Sequence, residues 1–425
     1  MYKGNDKEIV KGSILTMFLK GIGILVGYFF TIIISRRFGP IGLGTYSIAY
    51  STLILFGLIA SLGLNTSILR FIGQFSRPEE LFERKRLYFN SLWLIFISSI
   101  FLSFFLYIFS EEIAMYVFDD KSYIKALQIV SVMAPFFTLN LINVEYLRGL
   151  KKVGLSEIFR TVLIPLLCIS VLILFPNINE VQVLIYVLAG VIMSISLASF
   201  IYIYIRLKNI SKPIIQKLKI SDLIKTSIPM MFIALSSYII QNISIYVIQI
   251  VLSTYEVGIF ALALKLSLFI SVVLIGVNTV LAPKISELFW AKDFEQLSKM
   301  ISKSTKFICF LSFPLFLILA FFSEPIITFI NSEFVSGKYV LVILATGQLI
   351  NACCGPVGIL LNMTGNQYIL MKVTLLILVL AIILNFLFVS VFGILGAAYA
   401  TCLCVALKNI LLLVIVKRKL NINIL

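Results

Sequence analysis

The feature that most constrains this chain is the recurrence of long, nearly uncharged apolar runs. Twelve occur, at 12–35, 41–63, 87–110, 124–146, 154–175, 181–205, 227–252, 257–282, 306–322, 339–361, 367–391 and 394–416. About 20 apolar residues in a helix cross the ~30 Å hydrocarbon core of a bilayer. Lipid offers no partner for an open backbone, so such runs fold as helices. The 60% hydrophobic content and mean hydropathy of +1.08 agree with a polytopic helical membrane protein. The basic N-terminus leads into a run too long for a signal-peptide core and without a cleavage site, so an uncleaved first span is expected.

Orientation follows from Lys and Arg. With the N-terminus inside, cytoplasmic segments hold 25 of the 35 cations, and the opposite loops hold only Arg36, Arg37, Lys121, Lys125 and Lys338. This asymmetry predicts that both termini are cytoplasmic, and it accounts for the net charge of +16 without nucleic acid. Arg36 and Arg37, in "SRRFGPIGLGTYS", break the rule on the outer side. Short interfacial helices are expected at "EEIAMYVFDDKSY" and "SEPIITFINSEFVSGK" outside, and at 283–305 inside. Pro135, Pro165, Pro314 and Pro356 are expected to kink their spans.

Some chemistry is excluded. The chain has no histidine, which removes His acid–base catalysis, His proton relays and His metal sites. Its six cysteines fall in apolar segments without disulfide or metal-site spacing. No loop has room for a soluble catalytic domain, and there is no P-loop. No metal or other cofactor is implied; a coupling ion, proton or sodium, is left open.

The chain divides at a basic linker, 206–225, into an N-terminal lobe (1–210, spans 1–6) and a C-terminal lobe (211–425, spans 7–12). "GTYSIA" (Gly44–Ala49) resembles "GIFALA" (Gly258–Ala263) at an offset of 214, and "FRTVLI" resembles "MKVTLLI" at 212, aligning Arg160 with Lys372. Two matches at nearly one offset argue for a duplication. Six spans per half make the repeats parallel, as in transporters that rock about a central cavity.

Five cations lie inside spans: Lys20, Arg160, Lys265, Lys372 and Lys408. Each costs ~2.5–3.5 kcal/mol at the midplane, which a span rich in Leu and Ile tolerates, so insertion energy alone demands no function. Arg160, Lys372 and Lys408 are close enough to an interface to snorkel. Lys20 and Lys265 are deeper, and Lys20 shares a stripe with Gly23, Gly27 and Thr31. Tyr238, Gln241, Asn242, Tyr246 and Gln249 form a polar group on span 7, suited either to a ligand or to interhelical hydrogen bonds. With no carboxylate near a span centre, a cavity lined by these cations favours an anion.

"SRRFGPIGLGTYSIAYS", "GLNTSILRFIGQF", "YLRGLKKVGLSEIFRTVL", "VGIFALALKLSLFISVVLIGVNTVLAPKISEL" and "LLNMTGNQYILMKV" together resemble the Wzx-type polysaccharide-repeat flippases. These belong to the multidrug/oligosaccharidyl-lipid/polysaccharide (MOP) exporter superfamily. The resemblance implies twelve helices in two lobes and alternating access without ATP hydrolysis. It implies transfer of an undecaprenyl-diphosphate-linked glycan between leaflets, serving polysaccharide polymerase and assembly proteins as partners. It also implies that the diphosphate would sit among Lys20, Lys265, Arg160 and Lys372. Arg36 and Arg37 would receive it at the exit or, alternatively, contact lipid phosphates or outer acids. The glycan would meet the span 7 polar group. Competing readings are a cation-exporting multidrug antiporter, a membrane glycan-processing enzyme and a non-transporting scaffold.

Overall fold

The computed structural model describes residues 3–74, 81–208, 210 and 220–420. Half of the 206–225 linker, residues 209 and 211–219, thus lies outside the described residues. Among the described residues the secondary structure is helical with no strand, and ten helices are long and apolar enough to cross a membrane. Two of the ten are broken. The helix Lys3–Ala60 is interrupted at Gly39 (φ 63°, ψ −167°), and Gln367–Leu420 at Gly393 (φ 60°, ψ −140°). Only glycine adopts that backbone region readily. Counting each broken helix as two crossings matches the twelve apolar runs.

Contacts divide the chain into two compact units. One comprises Met1–Ile33 with Thr45–Tyr238, the other Ile34–Gly44 with Ile239–Leu425. The division therefore falls inside the helix Ile220–Val251, not in the basic linker, and the turn between spans 1 and 2 is grouped with the second unit.

In the first unit, helix Tyr123–Gly149 packs against Val181–Leu207 and Leu81–Ile108. Buried hydrogen bonds join the three: Tyr88 Oη donates to Asn143 Oδ1 (2.7 Å), and Asn143 Nδ2 donates to Ser199 Oγ (2.8 Å). Small polar residues hold helices where apolar contact cannot distinguish neighbour from lipid. In the second unit, Lys338–Cys353 packs on Gln367–Leu420 and Phe294–Phe321. Ser244 donates to Asn385 (2.6 Å), and Ser271 to Gln348 (2.5 Å).

Proline acts in two ways. Pro135 and Pro314 lie within continuous helices, whereas Pro356 follows Gly355 (φ 72°) at a break between Lys338–Cys353 and Val357–Met363. Pro165 follows a π-helical turn, Ile158–Val162. The two segments expected to be interfacial form short helices: Ser110–Glu112 running into a π turn, and Ser323–Ile330 with a 3-10 turn. Segment 283–305 differs from expectation. It is a helical hairpin: Ser271–Trp290 continues through it, and Phe294–Phe321 begins after a three-residue turn. Lys292 takes φ 61° there, and Asp293 caps the new helix by accepting from Gln296 N (3.0 Å).

Candidate functional site

In the first unit the charged side chains of spans 1, 4 and 5 converge. Spans 4 and 5 form a hairpin about the short turn at Leu150–Lys152, which brings charged residues on its two sides together. Glu145 accepts from Arg160 across it, and Arg148, one turn along, stands 3.8 Å from the same carboxylate. Arg160 lies on the π-helical turn, whose wider backbone re-aims the side chain toward span 4. Span 1 joins through a glycine. A Cβ at Gly23 would strike Thr161, so the two helices touch backbone to side chain. Spans 1 and 5, both odd-numbered, run parallel; one turn back from this contact stand Lys20 on one and Glu157 on the other. Glu157 is the carboxylate that acts most strongly on Lys20. It is fully buried, and neither oxygen has a hydrogen-bond partner among the described residues. A buried carboxylate without donors depends on nearby cations. Three cations and two carboxylates leave the cluster with an excess of one positive charge.

The second unit carries its cations differently. Lys265 is half-buried in the last turn of Thr254–Ser267, Lys408 is half-buried, and Lys372 is exposed near the start of Gln367–Leu420. No carboxylate occupies an equivalent membrane position in this unit, so the repeat that aligns Arg160 with Lys372 does not extend to Glu145 and Glu157. The span 7 polar group also divides. Tyr238, in the first unit, donates to Ser51 O (2.8 Å). Gln249 is buried and accepts from Thr254 (3.1 Å), while Gln241 is exposed and Asn242 and Tyr246 are half-buried.

Arg36 is engaged by the protein itself. Its Nη2 and Nε donate to the carbonyls of Phe329 (2.7 Å) and Ile330 (3.1 Å), and its guanidinium lies 4.9 Å from the centre of the Phe329 ring. It thereby caps the short helix Ser323–Ile330, whose last carbonyls lack intrahelical donors. Asn331 Nδ2 donates back to Ser35 O (3.1 Å), closing the clamp. The Arg37 guanidinium lies 5.9 Å from the Phe38 ring centre. The Arg36 contact joins residues almost 300 apart, and no local sequence signal indicates it. The Glu145–Arg160 pair had one: both flank the same short turn.

The described residues form a polytopic helical fold with paired charges inside its spans and two glycine-broken helices, and that fold is shared with a MOP-superfamily transporter. Among solved structures it is similar to the lipid II flippase MurJ in an inward closed conformation (18% identity, TM-score 0.77, covering 95% of this chain and 87% of that one). It is likewise similar to an inward-facing multidrug resistance MATE transporter of the MOP superfamily (14% identity, TM-score 0.76, 96% and 98% covered). Residues 9–289 match the polysaccharide biosynthesis protein family, and the chain belongs to that family. Residues 229–387 also match the MatE family. A probable low-salt glycan biosynthesis flippase, Agl15 of Haloferax volcanii, is 27% identical over 179 residues, spanning 42% of this chain and 38% of that relative's length.

Proposed function

We propose that this chain is a flippase that moves undecaprenyl-diphosphate-linked oligosaccharide repeat units from the cytoplasmic to the outer leaflet, for a surface polysaccharide such as O-antigen or capsule. The observation that carries the reading is the charge balance inside the spans. Five cations, Lys20, Arg160, Lys265, Lys372 and Lys408, lie within the spans against two carboxylates, Glu145 and Glu157, which leaves a positive excess suited to a diphosphate. The family and the flippases among its relatives point the same way. In this reading Lys20, Lys265 and Lys372 bind the diphosphate, with Arg160 shared between it and Glu145. Arg37 receives it at the outer leaflet beside the Arg36 clamp. Gln241, Asn242 and Tyr246 contact the glycan, with Tyr238 and Gln249 fixing the helix that presents them. Movement is by alternating access in the cytoplasmic (inner) membrane with both termini inside, and polymerase and assembly proteins take the product.

The match to the MatE family favours a second reading, a multidrug antiporter. One experiment separates the two. The gene is deleted in its host, and the lipid-linked oligosaccharide pool is followed with radiolabelled sugar alongside surface polymer and drug sensitivity. Accumulation of diphosphate-linked repeat units with loss of polymer supports the flippase. An unchanged pool with new sensitivity to cationic drugs supports the antiporter. In the complemented strain, Lys20→Ala and Lys265→Ala are each expected to reduce flipping while membrane insertion is retained; normal flipping by both removes the cation assignment.

A further inference from the structure

We infer that Cys309 and Cys353 form an oxidation site, a thiol pair that a lipid-soluble quinone converts to a disulfide tying span 9 to the helix break in span 10. Cys309 lies within Phe294–Phe321, and Cys353 is the last residue of Lys338–Cys353. Their sulfurs are 2.7 Å apart, close enough for one thiol to donate to the other. That is about 0.7 Å beyond the ~2.05 Å of a disulfide. The pair is held at that distance by packing on both sides. One turn before Cys309, Thr305 fills the space a Cβ would take at Gly355, with its Cγ2 at 3.0 Å. Gly355 takes φ 72° and is followed by Pro356, so the backbone beside Cys353 has little freedom to draw away.

The remaining cysteines are placed otherwise. Cys168, Cys354 and Cys404 are buried, and Cys402 packs its backbone against Gly347. Cys309 and Cys353, like Cys402, are half-buried in an apolar, membrane-spanning region; what sets the pair apart is the contact between their sulfurs. The reaction is a two-electron exchange. Each thiol loses its proton, one S–S bond forms, and the quinone takes two electrons and two protons to become the hydroquinone. The product fixes the break at Gly355–Pro356 against the ninth span.

The test uses the full-length protein in lipid nanodiscs with duroquinone, whose four methyl groups block addition of thiols to the ring. Proteolysis without reductant and mass spectrometry should show a peptide linking Cys309 to Cys353 in more than half of the wild-type molecules. Cys168, Cys402 and Cys404 should remain alkylatable. Cys309→Ser and Cys353→Ala should each abolish the link, and reductant should reverse it. Oxidation should also raise the apparent melting temperature by several degrees in wild type alone. Complete alkylation of both thiols after quinone treatment overturns the site, as does a link through Cys354 in equal yield. A linked peptide with an unchanged melting temperature overturns the clamp.

Discussion

Gly44 and Gly258 pack reciprocally on each other's turns. A Cβ built on Gly44 would lie 3.1 Å from Gly258 N and strike the carbonyl of Thr254; one built on Gly258 would strike the carbonyl of Pro40. Residues 40 and 44 become 254 and 258 when displaced by the same 214 that relates "GTYSIA" to "GIFALA". The contact is therefore locally two-fold: the start of span 2 meets the start of span 8 in the same way that span 8 meets span 2. Glycine is needed at both positions because the opposing atoms are backbone, which does not rotate aside.

This relationship predicts an asymmetry among glycine substitutions. Gly258→Ala must displace the Pro40 carbonyl, so it should destabilise by about 1–3 kcal/mol, the usual cost of overpacking. Gly190→Ala, in helix Val181–Leu207 with nothing within 4 Å, should be neutral or stabilise by up to ~1 kcal/mol through helix propensity. Unfolding of the two variants in mixed micelles compares them directly. Equal stabilities would show that the turn is not tightly packed.

The cluster around Glu157 predicts coupling between spans. Glu157→Gln removes the charge that most compensates Lys20, and Lys20→Met removes the charge that Glu157 faces. The double variant should recover part of the loss, with a coupling energy of about 0.5–3 kcal/mol for groups in one network. Additivity of the single losses within ~0.5 kcal/mol would mean that the two do not interact. Arg160→Met, which leaves the mostly buried Glu145 with only Arg148 at 3.8 Å, should cost about 1–3 kcal/mol. That is below the figure for a fully buried pair, because the Arg160 side chain is 35% exposed.

Arg36 should behave as a structural residue distinct from Arg37. Arg36→Gln loses two donors to helix-terminal carbonyls and the ring contact, so hydrogen exchange across 323–337 should accelerate roughly tenfold, the equivalent of ~1.4 kcal/mol of local stability. Arg37→Gln leaves those two carbonyl bonds in place and should reduce flipping. If both substitutions together leave flipping undiminished, the outer arginines have no part in receiving the diphosphate.

These residues also mark where sequence is legible. Span positions follow from hydropathy because lipid imposes one backbone solution, and the observed helices coincide with the apolar runs within a few residues, apart from extensions such as Phe294–Phe321. The Asp293 cap was equally local, yet the segment's charge led to a separate interfacial helix being expected instead of a hairpin. The Lys20 stripe with Gly23 suits a polar cavity by sequence, whereas in the fold Gly23 packs on Thr161. What it met there was not readable. A polar residue on an apolar helix has the same signature whether it turns toward a ligand, a neighbour or an ion partner. Glu157, at the edge of its run, looks like a span boundary until the π-helical turn and span 1 enclose it.

The last prediction concerns the break at Gly393. Without it, Gln367–Leu420 would be a single 54-residue helix of about 80 Å, far longer than one crossing of a ~30 Å core. At φ 60° and ψ −140° the backbone lies where a Cβ is strained, yet nothing stands within 4 Å of the position. Gly393→Ala therefore isolates the conformational cost, expected at about 1–3 kcal/mol. Gly39→Ala has a similar backbone but also meets Glu333 Oε2 at 2.8 Å, so it should cost more unless that carboxylate rotates away. Gly39→Ala combined with Glu333→Ala should then fall back to the Gly393→Ala value. The check is a set of unfolding curves for the three variants beside Gly190→Ala. Should Gly393→Ala match that control, span 12 would not depend on a glycine-only turn, and its separation from span 11 would need another cause.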